Sequence, residues 1–108
     1  MQNLVSKKEE EERRLKALAE YRILGTKPES CYDDITKIAA TTCNVPISLM
    51  TLVDKDKQWF KSKIGLQISE TRRDWSFCTH AIKENSPLII HDAFQDERFI
   101  NNPLVTGD

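Results

Sequence analysis

Two consecutive segments with the hydrophobic pattern of β-strands constrain the fold of this chain more than any other feature. Residues 47–53 (ISLMTLV) are apolar on both alternating faces, which is typical of a strand covered on both sides. A polar turn, Asp54–Lys57, leads into residues 58–64, where apolar and polar side chains alternate. The alternation predicts one face with Phe60, Ser62 and Ile64 and another with Trp59, Lys61 and Lys63. An isolated hairpin is not stable in water, so the other segments must cover it.

Length, charge and cysteine content exclude several classes of protein. The 108 residues correspond to one domain, and a net charge of −1 gives no basic excess that would indicate a nucleic-acid partner. No apolar run approaches the ~20 residues of a membrane span, and the N-terminus is charged. Cys31, Cys43 and Cys78 are odd in number and widely spaced, which indicates reduced thiols. We therefore expect a cytoplasmic protein that contacts neither membrane nor nucleic acid.

Two helices are predicted before the hairpin. The first begins at Ser6, which has capping-box spacing to Glu9, carries pairs such as Glu10–Arg14, and ends at Gly25. It either packs across the sheet or pairs with its copy in a second chain. The second helix follows Pro28 and ends near Asn44. Its predicted apolar stripe consists of Tyr32, Ile35, Ile38, Ala39 and Thr42.

The segments after the hairpin are shorter and more polar. Residues 66–75 read as a solvated loop or as a lid over a ligand, and they include the adjacent arginines Arg72 and Arg73. Ser76 is a suitable cap for a helix over 77–85, and residues 87–92 predict a third, apolar strand. The remaining residues predict an ordered loop with one helical turn around Glu97.

Several of these segments together resemble one known family. They are YRILGT at 21–26, residues 47–54, WFKS at 59–62, SFCTHAI at 76–82, DA at 92–93, DERF at 96–99 and NPLVTG at 102–107. This set, over about residues 20 to 108, resembles GAF domains, and most closely the bacterial GAF modules that precede sensor histidine kinases or diguanylate cyclases. Relative to that family the sequence ends before the last two strands and the final helix, so we expect residues 1–24 to form an N-terminal helix and residues 25–108 a partial GAF domain.

The resemblance implies an α+β fold, with helices on one face of an antiparallel sheet and a pocket of loops and a short helix on the other. It implies a sensory module that is not an enzyme, forms a homodimer, binds an unidentified small molecule and acts on a kinase or cyclase output domain outside this chain. It leaves the cofactor unknown. The implied ligand-binding residues are Phe60, Arg72, Trp75, Phe77, Cys78, His80, Asp92 and Phe99.

The chemistry of Cys78 and His80 leaves alternatives open. Two residues apart on a helix, their side chains diverge, which disfavours shared metal coordination and leaves Cys78 as a small buried apolar residue. A thiol enzyme similar to free methionine sulfoxide reductases would use Cys78 as a nucleophile activated by Arg72 and Arg73. A dimerisation scaffold without a ligand is the other alternative, because a fold alone does not fix a function.

The missing strands predict an unpaired edge along residues 47–53, which are apolar on both faces. Such an edge recruits a partner or aggregates, so we expect either a fragment of a longer gene product or a chain that completes its sheet by pairing with another copy. The measurement is the solution mass by light scattering over a range of protein concentrations. A monomer that melts cooperatively at low concentration would contradict this expectation.

Overall fold

The computed structural model describes residues 6–107. The helices are α1 (Lys7–Tyr21), α2 (Ser30–Cys43), α3 (Cys78–Ala81) and α4 (Pro103–Thr106), and the strands are β1 (Ser48–Val53), β2 (Lys57–Ile64) and β3 (Glu70–Arg72). Single 3-10 turns lie at Arg73–Trp75 and Ala93–Gln95. The α+β class with an antiparallel sheet is confirmed. The predicted boundaries at 1–24 and 25–108 extend outside the described residues and stay a prediction.

The sheet has the order β1-β2-β3, and both pairs are antiparallel. Its third strand comes from the segment 66–75, which the sequence predicted to be a loop. The predicted strand at 87–92 is wrong, because these residues are not part of the described sheet and Ile89 is 70% exposed. Strand β3 forms because it follows β2 after a short turn and pairs with it at little entropic cost, whereas residues 87–92 have no pairing partner in the described sheet. Within residues 6–107, β1 is paired on one side only.

A β-bulge at Lys61 interrupts the ladder between β1 and β2. Met50 lies opposite Ser62 and Thr51 opposite Phe60, so Lys61 has no opposing residue. Lys61 and Ser62 therefore both face α2, where the Ser62 hydroxyl donates to Asp33 Oδ1 at 2.6 Å. The predicted common face of Phe60 and Ser62 is wrong, because the extra residue changes the alternation after Phe60.

The first helix begins as predicted and ends earlier. Ser6 accepts a hydrogen bond from the Glu9 backbone N–H at 3.1 Å. The helix ends at Tyr21 because Arg22 adopts the left-handed conformation with φ 51°, three residues before the predicted Gly25. The side chain of Arg22 does not prevent this conformation, although glycine adopts it with less strain.

Helix α2 packs on the sheet through a different stripe from the predicted one. Thr36 is 3% exposed, whereas Ile35 and Ile38 are 56% and 64% exposed. Two polar contacts to the bulge set the rotation of the helix: Ser62 with Asp33, and Lys61 with Glu29 at 2.7 Å. These contacts turn the isoleucines away from the sheet. The predicted end of the helix at Asn44 is confirmed by its left-handed φ of 52°.

The opposite face of the sheet carries α3 and the chain that follows it. Ser76 is 1% exposed and donates to Gln58 Oε1 at 2.7 Å, so it anchors the segment to β2 and does not cap the helix. Helix α3 is correspondingly shorter than predicted and has Phe77 at its N-cap position. Phe99 is 0% exposed and is the largest fully buried side chain of the described residues.

Truncation of Phe99 is expected to destabilise the fold strongly. Because Phe99 is fully buried, Phe99→Ala should lower the free energy of unfolding by about 3–5 kcal/mol through lost burial and a residual cavity. The matched control, Phe94→Ala, removes the same side chain at a position that is 62% exposed and should change stability by less than about 1 kcal/mol. Urea denaturation measures both. Equal effects of the two substitutions would contradict the packing described.

Candidate functional site

The structure distributes the eight predicted ligand-binding residues over separate places. Phe77, His80 and Phe99 form one aromatic cluster, and Arg72 and Trp75 form a second contact. The remaining three are Phe60, Cys78 and Asp92. These three residues belong to neither group and contact different parts of the structure. Their role in ligand binding stays a prediction.

The aromatic cluster packs α3 against the chain after the second 3-10 turn. The Phe77 and Phe99 rings are stacked with centroids 4.2 Å apart, and the His80 ring meets Phe99 edge-on at 5.1 Å. The Arg98 guanidinium lies over the Phe99 ring, 5.2 Å from its centroid. Hydrogen bonds from Arg98 hold the Asp96 pKa at about 2, well below its usual range. Phe99 thus fills the interior of this face.

Arg72 and Trp75 form an exposed contact at the end of β3. The Arg72 guanidinium binds both oxygens of Asp74, at 3.0 and 2.7 Å, and lies 5.3 Å from the Trp75 ring centroid. A shallow cleft of about 470 Å³ borders this contact, and Lys55 and Thr79 also line it. Because the Arg72 and Asp74 side chains are 65% and 59% exposed, the ion pair itself contributes little stability. The two groups therefore stay available to a ligand.

The other predicted residues have local structural contacts. Cys78 Sγ lies 3.1 Å from Thr51 Oγ1 on the sheet, and Phe60 is buried in β2 opposite Thr51. Asp92 accepts a hydrogen bond from the Phe94 backbone N–H at 3.0 Å and caps the second 3-10 turn. In the described part of the chain, no three His, Cys, Asp or Glu side chains come together as a metal-binding group.

One charged cluster was not predicted from the sequence. Glu11 on α1 accepts from Arg14 Nε and Nη2, both at 2.9 Å, and also from Arg73 Nη1. We name Glu11, Arg14 and Arg73 the arginine–glutamate cluster. Within the cluster, Glu11 and Arg14 have the i,i+3 spacing of a helix pair, which the sequence shows, although the predicted partner of Arg14 is Glu10. The other pair joins residues 62 positions apart, for which the sequence carries no signal.

Backbone carbonyls complete the cluster at the turn between β1 and β2. Arg14 donates to the Val53 carbonyl, and Arg73 Nη1 donates to the carbonyls of Asp54 and Lys55 at 3.2 and 3.3 Å. Hydrogen bonds from Arg14, and then from Arg73, lower the pKa of Glu11 from 4.5 to about 2. Glu11 is therefore a carboxylate throughout the neutral range, and the cluster joins α1, the hairpin turn and the end of β3.

Comparison with known proteins gives one informative similarity. No family model matches the chain. A Pseudomonas aeruginosa protein named as a cyclic di-GMP phosphodiesterase is 33% identical to it over 100 residues. The aligned region covers 93% of this chain and 17% of that protein, so the chain spans about a sixth of the length of the curated relative that it matches.

This similarity supports a bacterial signalling role and corrects one expectation. The expectation that the protein is not an enzyme is wrong, because the relative that matches nearly the whole chain is named as a phosphodiesterase. The assignment to the GAF family stays a prediction. None of the helices among the described residues has the length and apolar character that crossing a bilayer requires. The cytoplasmic location likewise stays a prediction.

The low pKa of Glu11 predicts a specific loss of stability in acid. A carboxylate whose pKa falls from 4.5 to about 2 on folding stabilises the fold above pH 4.5, and this contribution is lost as the pH falls toward 2. Glu11→Gln should therefore flatten the decline of stability over this range. Denaturation by urea at a series of pH values measures it.

The matched control for this experiment is Asp96→Asn, since Asp96 also has a pKa of about 2 but lies outside the arginine–glutamate cluster. Glu11→Gln, unlike the control, should also remove the acid-dependent change in the helical circular dichroism of α1. An unchanged acid decline in the Glu11→Gln protein would refute the assignment.

Proposed function

We propose that this chain is a regulatory module of a bacterial signalling enzyme that acts on cyclic di-GMP. The observation that carries the proposal is the 33% identity over 100 residues with the protein named as a cyclic di-GMP phosphodiesterase. Because that region amounts to 17% of the relative, the proposal assigns to this chain the control of an activity that belongs to the larger protein. A phosphodiesterase replaces the kinase or cyclase expected earlier as the output.

The arrangement of the chain supports a GAF-type architecture for this module. An antiparallel sheet has α2 on one face and α3 with Phe99 on the other. The segments that resemble the family also have definite structural roles. The segment SFCTHAI contains Ser76, which anchors it to β2, and Phe77, whose ring stacks on Phe99. In the segment NPLVTG, the Asn102 side chain caps α4 and donates to the Trp75 carbonyl at 2.7 Å.

The proposed small-molecule site is the cleft beside Arg72 and Trp75. An exposed guanidinium over an indole offers both a charge and a stacking surface, which suits a ligand with an aromatic ring and an anionic group. In our proposal the stacked Phe77 and Phe99 rings, of which Phe99 is fully buried, form part of a rigid support for it, and Asn102 connects the two regions through the Trp75 carbonyl.

Dimerisation is a second candidate role, and a specific observation favours it. Within the described residues β1 is paired on one side only, and Ile35 and Ile38 on α2 are largely exposed. Exposed apolar residues and an open strand edge are features that bind a second chain. Both roles are compatible with one regulatory module, because a ligand can bias the arrangement of two copies.

The proposal predicts that the full-length protein hydrolyses cyclic di-GMP and that the packing of this module sets the rate. Purified protein should open one of the two phosphodiester bonds and yield a linear dinucleotide, which chromatography detects. Phe99→Ala loosens the module and should change the rate by about fivefold or more, the usual scale of coupling between sites. Phe94→Ala, on the exposed surface, should leave the rate unchanged.

Two outcomes would overturn separate parts of this proposal. Absence of hydrolysis by the well-folded wild-type protein would remove cyclic di-GMP as the substrate. Equal hydrolysis rates for wild type and Phe99→Ala, with the expected loss of stability, would show that the module does not regulate the activity.

A further inference from the structure

Helix α1 is held to the rest of the protein mainly by charged groups. Among the described residues of α1, none is buried. The long-range hydrogen bonds of its side chains all come from the arginine–glutamate cluster: Arg14 to the Val53 carbonyl, and Glu11 to Arg73. A helix attached in this way can separate from the sheet without exposing much apolar surface, so its position depends on how these three side chains are paired.

The pairing within the cluster is open to competition from another anion. Glu11 offers two oxygens to two guanidinium groups, and Oε2 accepts from both Arg14 and Arg73. The side chains of Glu11, Arg14 and Arg73 are 32%, 28% and 19% exposed, so a dissolved anion can reach them. With a pKa of about 2, Glu11 does not leave the arginines by protonation at neutral pH. Its replacement requires a ligand that binds the same two cations.

A cleft beside the cluster has room for such a ligand. Its volume is about 820 Å³, which lies within the range of about 300–1,000 Å³ for small-molecule sites. Arg14 and Arg73 line one part of it, and Lys7 and Lys83 add two further cations. The carboxylates in the lining are Glu10, Glu11 and Glu84, so displacement of Glu11 from the arginines leaves an excess of positive charge around them.

We propose that this cleft binds a phosphate-bearing small molecule, whose oxygens replace the Glu11 carboxylate on Arg14 and Arg73 and thereby release α1 from the end of the sheet. A phosphate group presents three strong acceptor oxygens and up to two negative charges, whereas a carboxylate presents two oxygens and one charge. It can therefore give each guanidinium group its own acceptors, while in the present pairing the two share Oε2. The inference is independent of cyclic di-GMP hydrolysis.

Isothermal titration calorimetry with inorganic pyrophosphate tests the binding step. Glu11→Gln removes the competing carboxylate and should strengthen binding about tenfold, the scale of a charge-assisted hydrogen bond. Arg73→Gln should weaken binding by at least about tenfold for the same reason. The matched control is Arg13→Gln, which alters the neighbouring arginine on α1, exposed and outside the lining of both clefts, and should bind like wild type.

Hydrogen exchange of the α1 backbone amides tests the release step. Pyrophosphate should accelerate exchange in wild type, and Glu11→Gln should show fast exchange even without ligand. Thermal melts of every variant establish that the sheet stays folded. If Arg73→Gln unfolds the protein, Arg14→Gln is used in its place in the binding titration. A parallel titration with cyclic di-GMP distinguishes a nucleotide from a simple phosphate compound, and binding of either supports the proposal only where Arg73→Gln weakens that binding by at least about tenfold.

Two results would overturn the proposal. One is the absence of pyrophosphate binding to wild type and to Glu11→Gln. The other is an equal loss of binding in Arg13→Gln and Arg73→Gln, which indicates general attraction to a basic surface. Neither result bears on hydrolysis by the full-length protein, so this proposal and the proposed function fail independently.

Discussion

The buried ammonium group of Lys61 is the contact on which the arrangement of this fold depends. Its side chain is 0% exposed, and Nζ contacts Thr26 Oγ1 and the Lys27 carbonyl at 2.6 Å and Glu29 at 2.7 Å. An unpaired charge at this depth would cost several kcal/mol, so the ammonium requires all three acceptors. Because all three come from the connection between α1 and α2, the same contact that satisfies Lys61 fixes that connection on the sheet. Polar contacts therefore determine where α2 begins on the sheet.

Strand β2 transmits this constraint to the opposite face. Lys61 and Ser62 face α2, while Gln58 binds Ser76 at 2.7 Å and places the segment that leads into α3. The Phe77–Phe99 stack then closes this side. A single strand therefore sets the positions of the helical layer and of the aromatic cluster. This explains why the candidate ligand residues occupy fixed places although many of them belong to short turns.

Sequence patterns predicted the features that local chemistry decides. The hairpin, the Ser6 cap and the end of α2 at Asn44 follow from side-chain alternation and from helix-end preferences. Strand β3 was missed because its three residues, Glu70–Arg72, carry no apolar pattern and form a strand only by pairing with β2. For the candidate site, the sequence indicated the residue types, but groupings such as Glu11 with Arg73 arise only in the folded chain.

The bulge has a consequence for how the length of this chain can vary in evolution. Since Lys61 has no opposing residue, its removal would join Phe60 to Ser62 while each kept its present partner across the ladder. The deletion would thus restore the ordinary two-residue repeat on both sides of the gap, whereas a deletion outside the bulge would reverse the faces of part of the strand. A shorter homologue that lacks this lysine would need no carboxylate at the position of Glu29, so the two losses should occur together along a lineage.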